Sequence, residues 1–131
     1  MNVVDSSAWL EYFADGPNAA FFAPAIAATD KLVVPTLSLY EVFKRVLQQR
    51  TEDDALMAIA TMQQGTVVDL DAGVALSAAR IGIDCKLPMA DSIMLATART
   101  FEATLWTQDQ HFKGLAGVKY RPARGYASGS R

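Results

Sequence analysis

Short runs of β-branched residues alternate along the chain with stretches whose apolar side chains recur every three to four positions. Residues 2–5 read as a strand, and residues 6–13 and 18–28 as helices parted at Gly16-Pro17. Residues 32–34 form a second strand stopped by Pro35, followed by a helix over 38–50 with Leu39, Val42, Phe43, Val46 and Leu47 on one face. Thr51 stands where a helix cap belongs, and Glu52, Asp53 and Asp54 suit the positive end of the helix dipole, so the next helix runs from there to about Gln64. Residues 66–70 are a third strand, 71–83 a helix capped by Asp71, 90–102 a further helix after the Lys86-Leu87-Pro88 loop, and 104–107 a fourth strand. A helical turn at 110–113 and an edge strand at 118–120 complete the pattern.

Strands that alternate with helices predict an α/β fold: a three-layer α/β/α sandwich around a short, mostly parallel central sheet. Right-handed crossovers then bring the carboxyl ends of the strands to one edge. Open α/β sheets bind their ligands outside that edge, so the polar residues there become the candidates for function.

Composition narrows the picture. At 131 residues, 51% hydrophobic and 20% charged, the chain has the makings of one packed domain and excludes disorder over most of its length. The formal net charge of -2 excludes a strongly basic nucleic-acid coat. The charge is nevertheless uneven. Residues 110–131 carry Lys113, Lys119, Arg121, Arg124 and Arg131 with no acidic residue, whereas the remainder holds seven basic and fourteen acidic side chains. Cys85 is alone, which excludes an intramolecular disulfide and sites built on several thiolates, and His111 alone excludes a multi-histidine metal site. The amino-terminal residues lack the pattern of a signal peptide, and the longest apolar run, ten residues containing Pro24, is too short to span a bilayer, so a soluble cytoplasmic protein without membrane association is expected.

Four acids fall at the predicted functional edge. Asp5 ends the first strand, Asp109 follows the fourth by two residues, Glu41 lies in the first turn of the helix after the second strand, and Asp91 in the first turn of the helix after Pro88. An acid at any one helix start is readily explained as a cap. Four at one edge without matching basic residues repel one another and call for cations. Oxygen ligands without cysteine or several histidines suit Mg2+ or Mn2+, the ions of phosphoryl chemistry.

The segments that carry these acids resemble the PIN-domain family and, within it, the VapC-type toxin ribonucleases. They are Val3-Val4-Asp5-Ser6-Ser7, Leu39-Tyr40-Glu41-Val42, Leu87-Pro88-Met89-Ala90-Asp91-Ser92-Ile93 and Leu105-Trp106-Thr107-Gln108-Asp109-Gln110-His111-Phe112, and Val67-Val68-Asp69-Leu70-Asp71 also looks family-like. The resemblance implies a single PIN-like nuclease domain over residues 1–131, with 124–131 as a flexible tail, acting as a Mg2+- or Mn2+-dependent endoribonuclease. By the same analogy Asp5 and Asp91 would bind the metal directly, Glu41 and Asp109 would complete the acidic pocket, and Ser7 and Thr107 would support the carboxylates. A cognate VapB-like antitoxin, with an Arg among the acids, and a homodimer are implied as well.

An acidic pocket repels bare RNA, so Lys44, Arg45 and Lys113 are candidate phosphate contacts. His111 reads as a structural or solvent-facing residue, and Asp69 and Asp71 as strand-end and capping residues. Two other enzyme classes fit less well. A phospho-acceptor receiver domain could use Asp69 and Lys119 but needs an acidic pair after the first strand, where Ser6-Ser7 follow Asp5. A haloacid-dehalogenase-like phosphatase needs an acid where Ser7 stands. The non-enzymatic alternative is a PIN-like scaffold that binds RNA or a partner.

Overall fold

The computed structural model describes residues 1–124, so the tail expected at 124–131 lies, beyond Arg124, outside the described residues. Val3, Val4, Val33, Val34 and Leu105 are at most 1% exposed. Strands buried on both faces belong in the middle of a sandwich. They sit in β1 (Asn2–Val4), β2 (Leu32–Pro35) and β4 (Thr104–Thr107), which β3 (Thr66–Val68) and β5 (Val118–Tyr120) flank. The order is β3-β2-β1-β4-β5, and every neighbouring pair is parallel. Val3 lies opposite both Val33 and Leu105.

Alternate side chains of these strands feed two cores. Val4, Leu32 and Val34 pack with Trp9, Phe22, Val42, Val46 and Met62, from helices α1 (Ser6–Phe13), α2 (Ala19–Ala27), α3 (Thr36–Gln49) and α4 (Glu52–Met62). Val3, Val33 and Leu105 pack with Met94, Leu95 and Phe112 on the other face, where α6 (Met89–Thr100) lies under α5 (Ala72–Cys85) through Ala96, Val74 and Ala78. The result is the expected α/β/α sandwich. The strand order departs from the 2-1-3-4-5 order of receiver domains, and Asp69 is exposed beyond the end of β3, so the receiver reading fails on topology.

Two local expectations change. α3 begins at Thr36, because Pro35, with φ −64°, both closes β2 and serves as the residue before the helix. Glu41 therefore lies in the second turn and not the first. Leu47 is 41% exposed. Val42 and Val46 define the buried stripe of α3, and Leu47 stands about 140° around the helix from Val42, past its edge. The capping expectations agree with the structure: Thr51 and Asp54 form a reciprocal capping box on α4, and the Asp71 carboxylate accepts from the Val74 amide on α5. Among the described residues no helix is long and apolar enough to cross a membrane.

The chain winds outward from β1 through β2 to β3, then crosses back to place β4 against the other side of β1. This reversal opens a crevice beyond the carboxyl ends of β1 and β4. A 3-10 turn at Gln110–Phe112 closes one side of it, pinned by the fully buried Phe112 ring. Phe112→Ala should cost about 3–5 kcal/mol of folding free energy, measured by chemical denaturation, since it empties a core position.

Candidate active site

Asp5 is the first residue after β1 and is 4% exposed. Its backbone amide continues the β1–β4 ladder by donating to the Trp106 carbonyl at 3.0 Å. One carboxylate oxygen caps α1, accepting from the Ala8 amide at 2.9 Å and the Ser7 hydroxyl at 2.8 Å. The other accepts from the Thr107 hydroxyl at 2.6 Å. Burial nevertheless outweighs these three donors and, with the nearby Asp109 charge, raises the carboxyl from its ordinary 3.8 to about 6.

Thr107 relays the arrangement to the next acid, because its hydroxyl oxygen accepts from the Asp109 amide at 2.9 Å. Asp109 in turn caps the 3-10 turn, accepting from the His111 amide at 2.9 Å. The His111 ring folds back so that Nδ1 lies 2.8 Å from Asp91 Oδ2 and 3.3 Å from Asp109 Oδ1. Burial raises the Asp91 carboxyl, against the opposing hydrogen bond from His111. The Asp91 hydrogen bond holds the exposed imidazole above its ordinary range. Glu41 is held from the facing helix, its carboxylate accepting from the Ser6 hydroxyl.

A cavity of about 560 Å³ gathers these groups. Asp5, Glu41, Asp91 and Asp109 all line it, together with Ser6, Ser7, Lys44 and Arg45. The four acids read from the sequence thus share one space at the sheet's carboxyl edge. Ser7 and Thr107 are bonded to Asp5, and Lys44 and Arg45 stand on the exposed side of α3. Lys113 is exposed and lies outside the lining. Sequence reasoning did not reach two contributors. Ser6 was overshadowed by its neighbour, although the first position of α1 bonds to Glu41 on α3. His111 was read as structural or solvent-facing; its ring is indeed 52% exposed, yet it touches two of the acids. Its spacing of two residues from Asp109 was the available signal.

Among the described residues, Asp91, Asp109 and His111 form a group whose ligand atoms all lie within 4.8 Å of one another. The donor chemistry fits a divalent cation: carboxylate oxygens dominate, and among the described residues no lysine or arginine ion-pairs with these acids. Asp5 stands beside this group with its oxygens turned to the hydroxyls of Ser7 and Thr107.

A family model, the PIN domain, matches residues 3–118. The chain belongs to the PIN-domain family. Solved structures agree on the fold. A toxin–antitoxin complex from Klebsiella pneumoniae aligns with TM-score 0.75 at 22% identity, over 91% of this chain and 96% of that one. Mycobacterium tuberculosis VapC20, a sarcin–ricin-loop-cleaving toxin, aligns with TM-score 0.75 at 16% identity, over 93% and 100%. PAE2754 from Pyrobaculum aerophilum aligns with TM-score 0.62 at 22% identity, over 90% and 79%. Comparison with curated proteins gives no match. At these identities the structural likeness establishes the PIN fold.

The buried Asp5 carboxyl makes this PIN domain's stability depend on pH. The folded chain binds that proton more tightly than the unfolded chain, with pKa values of about 6 and 3.8. Without cations the Asp5 contribution is therefore most favourable below about pH 4, falls between pH 4 and 6, and remains as a penalty above. Asp5→Asn lacks that penalty. In EDTA its stability relative to wild type should rise across this window, by on the order of 2–3 kcal/mol at pH 7. Thermal melts from pH 4 to 7.5 measure the difference, and a constant offset would count against an ionised Asp5 as its source.

Proposed function

We propose that this PIN domain is a Mg2+- or Mn2+-dependent endoribonuclease, the toxin of a toxin–antitoxin pair, acting in the cytoplasm. The observation that carries the reading is the convergence of Asp5, Glu41, Asp91 and Asp109 on one cavity at the switch point of the sheet. Asp5 and Asp91 would hold the cation directly, with Asp109 and Glu41 completing the pocket. A bound divalent ion supplies charge neutralisation, polarisation of the phosphate and a lowered pKa for attacking water.

The chain's own residues prepare that chemistry. Ser7, Thr107 and the Ala8 amide fix the orientation of Asp5, and Ser6 fixes that of Glu41. Lys44 and Arg45 line the same cavity and offset the repulsion that an RNA backbone meets there, while Lys113 extends the cationic surface outside it. A VapB-like antitoxin would cover the acidic cavity, in keeping with the toxin–antitoxin complex whose fold this chain shares, and the active form would be a homodimer.

Labelled total RNA incubated with the purified chain and Mg2+ or Mn2+ should yield discrete products. EDTA should abolish them, and Asp91→Asn should slow their formation at least about 100-fold, since transition-state charge stabilisation of this kind is worth several kcal/mol. RNA binding without any cleavage, by protein shown to be folded and free of antitoxin, would favour a non-enzymatic scaffold. The cationic rim is tested separately. The double variant Lys44→Ala, Arg45→Ala should weaken RNA binding and reduce the slope of log K against log salt by about 1.4, the contribution of two phosphate contacts to a single strand. An unchanged slope would remove both residues from the RNA path.

A further inference from the structure

His111 is an exposed imidazole beside two of the cavity's carboxylates, and three contacts hold it there. Its own amide donates to Asp109, the next residue, Phe112, is anchored in the core, and its ring nitrogen faces Asp91. The separations from Nδ1 are 2.8 Å to Asp91 Oδ2 and 3.3 Å to Asp109 Oδ1. Donors about 2.1 Å from one octahedral ion stand about 3 Å apart when adjacent, so these three atoms have the spacing of neighbouring ligands. A hydrogen bond to Asp91 accounts for the shorter distance alone. The cap on the His111 amide brings Asp109 Oδ1 to the same nitrogen, so the turn presents all three atoms to one point.

We propose that His111 is a further protein donor to the divalent cation held by Asp5 and Asp91 beside Asp109, and that its nitrogen tilts this site toward Mn2+ over Mg2+. The inference rests on the proposed cation site and goes beyond it in naming a ligand and a preference among ions. Mg2+ takes oxygen ligands and dehydrates reluctantly. Imidazole nitrogen suits first-row transition ions, so replacing one oxygen donor by nitrogen separates two ions that an all-carboxylate pocket treats more alike.

Mn2+ binding to the full chain, followed by electron paramagnetic resonance, tests this without any appeal to turnover. Wild type should show nitrogen modulation in the pulsed spectrum, and His111→Ala should lose it. His111→Ala should also lower Mn2+ affinity about tenfold or more, while Mg2+ affinity, read by competition, changes by less than about twofold. Mn2+ bound without nitrogen coupling in wild type would overturn the proposal and leave the carboxylate site standing. An equal loss of both ions in His111→Ala would also overturn it, as the mark of a residue that only orients Asp91 by hydrogen bonding. Mn2+ binding that is absent, or indifferent to Asp91→Asn, would overturn this inference and the cation site together.

Discussion

The hydrogen bond from Thr107 to the buried Asp5 carboxylate ties the site to the sheet. Thr107 closes β4 and Asp5 follows β1, so the bond spans the two strands between which the chain reverses its winding. It exists because Val4 pairs with Trp106, which sets the next residue of each strand side by side. A one-residue slip of register would turn Thr107 to the other face and leave a buried carboxylate without one of its donors. The same hydroxyl accepts from the Asp109 amide, so one side chain positions two acids. Asp5's other oxygen starts α1, whose Trp9 is fully buried in the first core. The site is therefore an extension of the scaffold's own hydrogen bonding.

That connection explains what the sequence disclosed. The parallel sandwich was legible because Val3-Val4, Leu32-Val33-Val34 and Thr104–Thr107 are short apolar runs separated by helical periodicity. The four acids were legible because strand ends and helix starts can be read from such patterns. The less legible parts depend on angles and reach. Leu47 is apolar and close to the right phase, yet it falls just past the buried stripe of α3. Pro35 could have ended a strand or introduced a helix, and it does both, which moved Glu41 one turn further in. His111 lay two residues from an identified acid. Its approach to Asp91, twenty positions away, depends on a turn that only the burial of Phe112 secures.

Charge is distributed in the same economical way. The excess of basic residues near the carboxyl terminus suggests a solvated tail, but two of them are engaged within the described residues. Lys119 lies 4.6 Å from the Trp106 ring centre and Arg121 4.5 Å from that of Phe21, and these two rings also contact each other. Both cations thus help to cover the aromatic face behind β4. The cations that do line the acidic cavity, Lys44 and Arg45, come from α3 and share it with Glu41.

Four carboxylates in one cavity pose an electrostatic problem that the fold solves largely with backbone. Asp5 precedes α1 and accepts its Ala8 amide, Asp109 precedes a 3-10 turn and accepts its His111 amide, and Asp91 lies in the first turn of α6. Three of the four therefore sit where free amides and the helix dipole favour negative charge. Glu41, inside α3, has a serine hydroxyl instead. Reading an acid at a helix start as a cap and reading it as part of a cation site are consequently compatible, and here the first makes the second feasible. Because amides, hydroxyls and, at Asp91, an imidazole hold these carboxylates without lysine or arginine partners within ion-pairing distance among the described residues, their charge remains available to a ligand. Burial then sets the balance: it makes ionisation of Asp5 unfavourable enough that a cation entering the cavity would be drawn in by the relief of that cost.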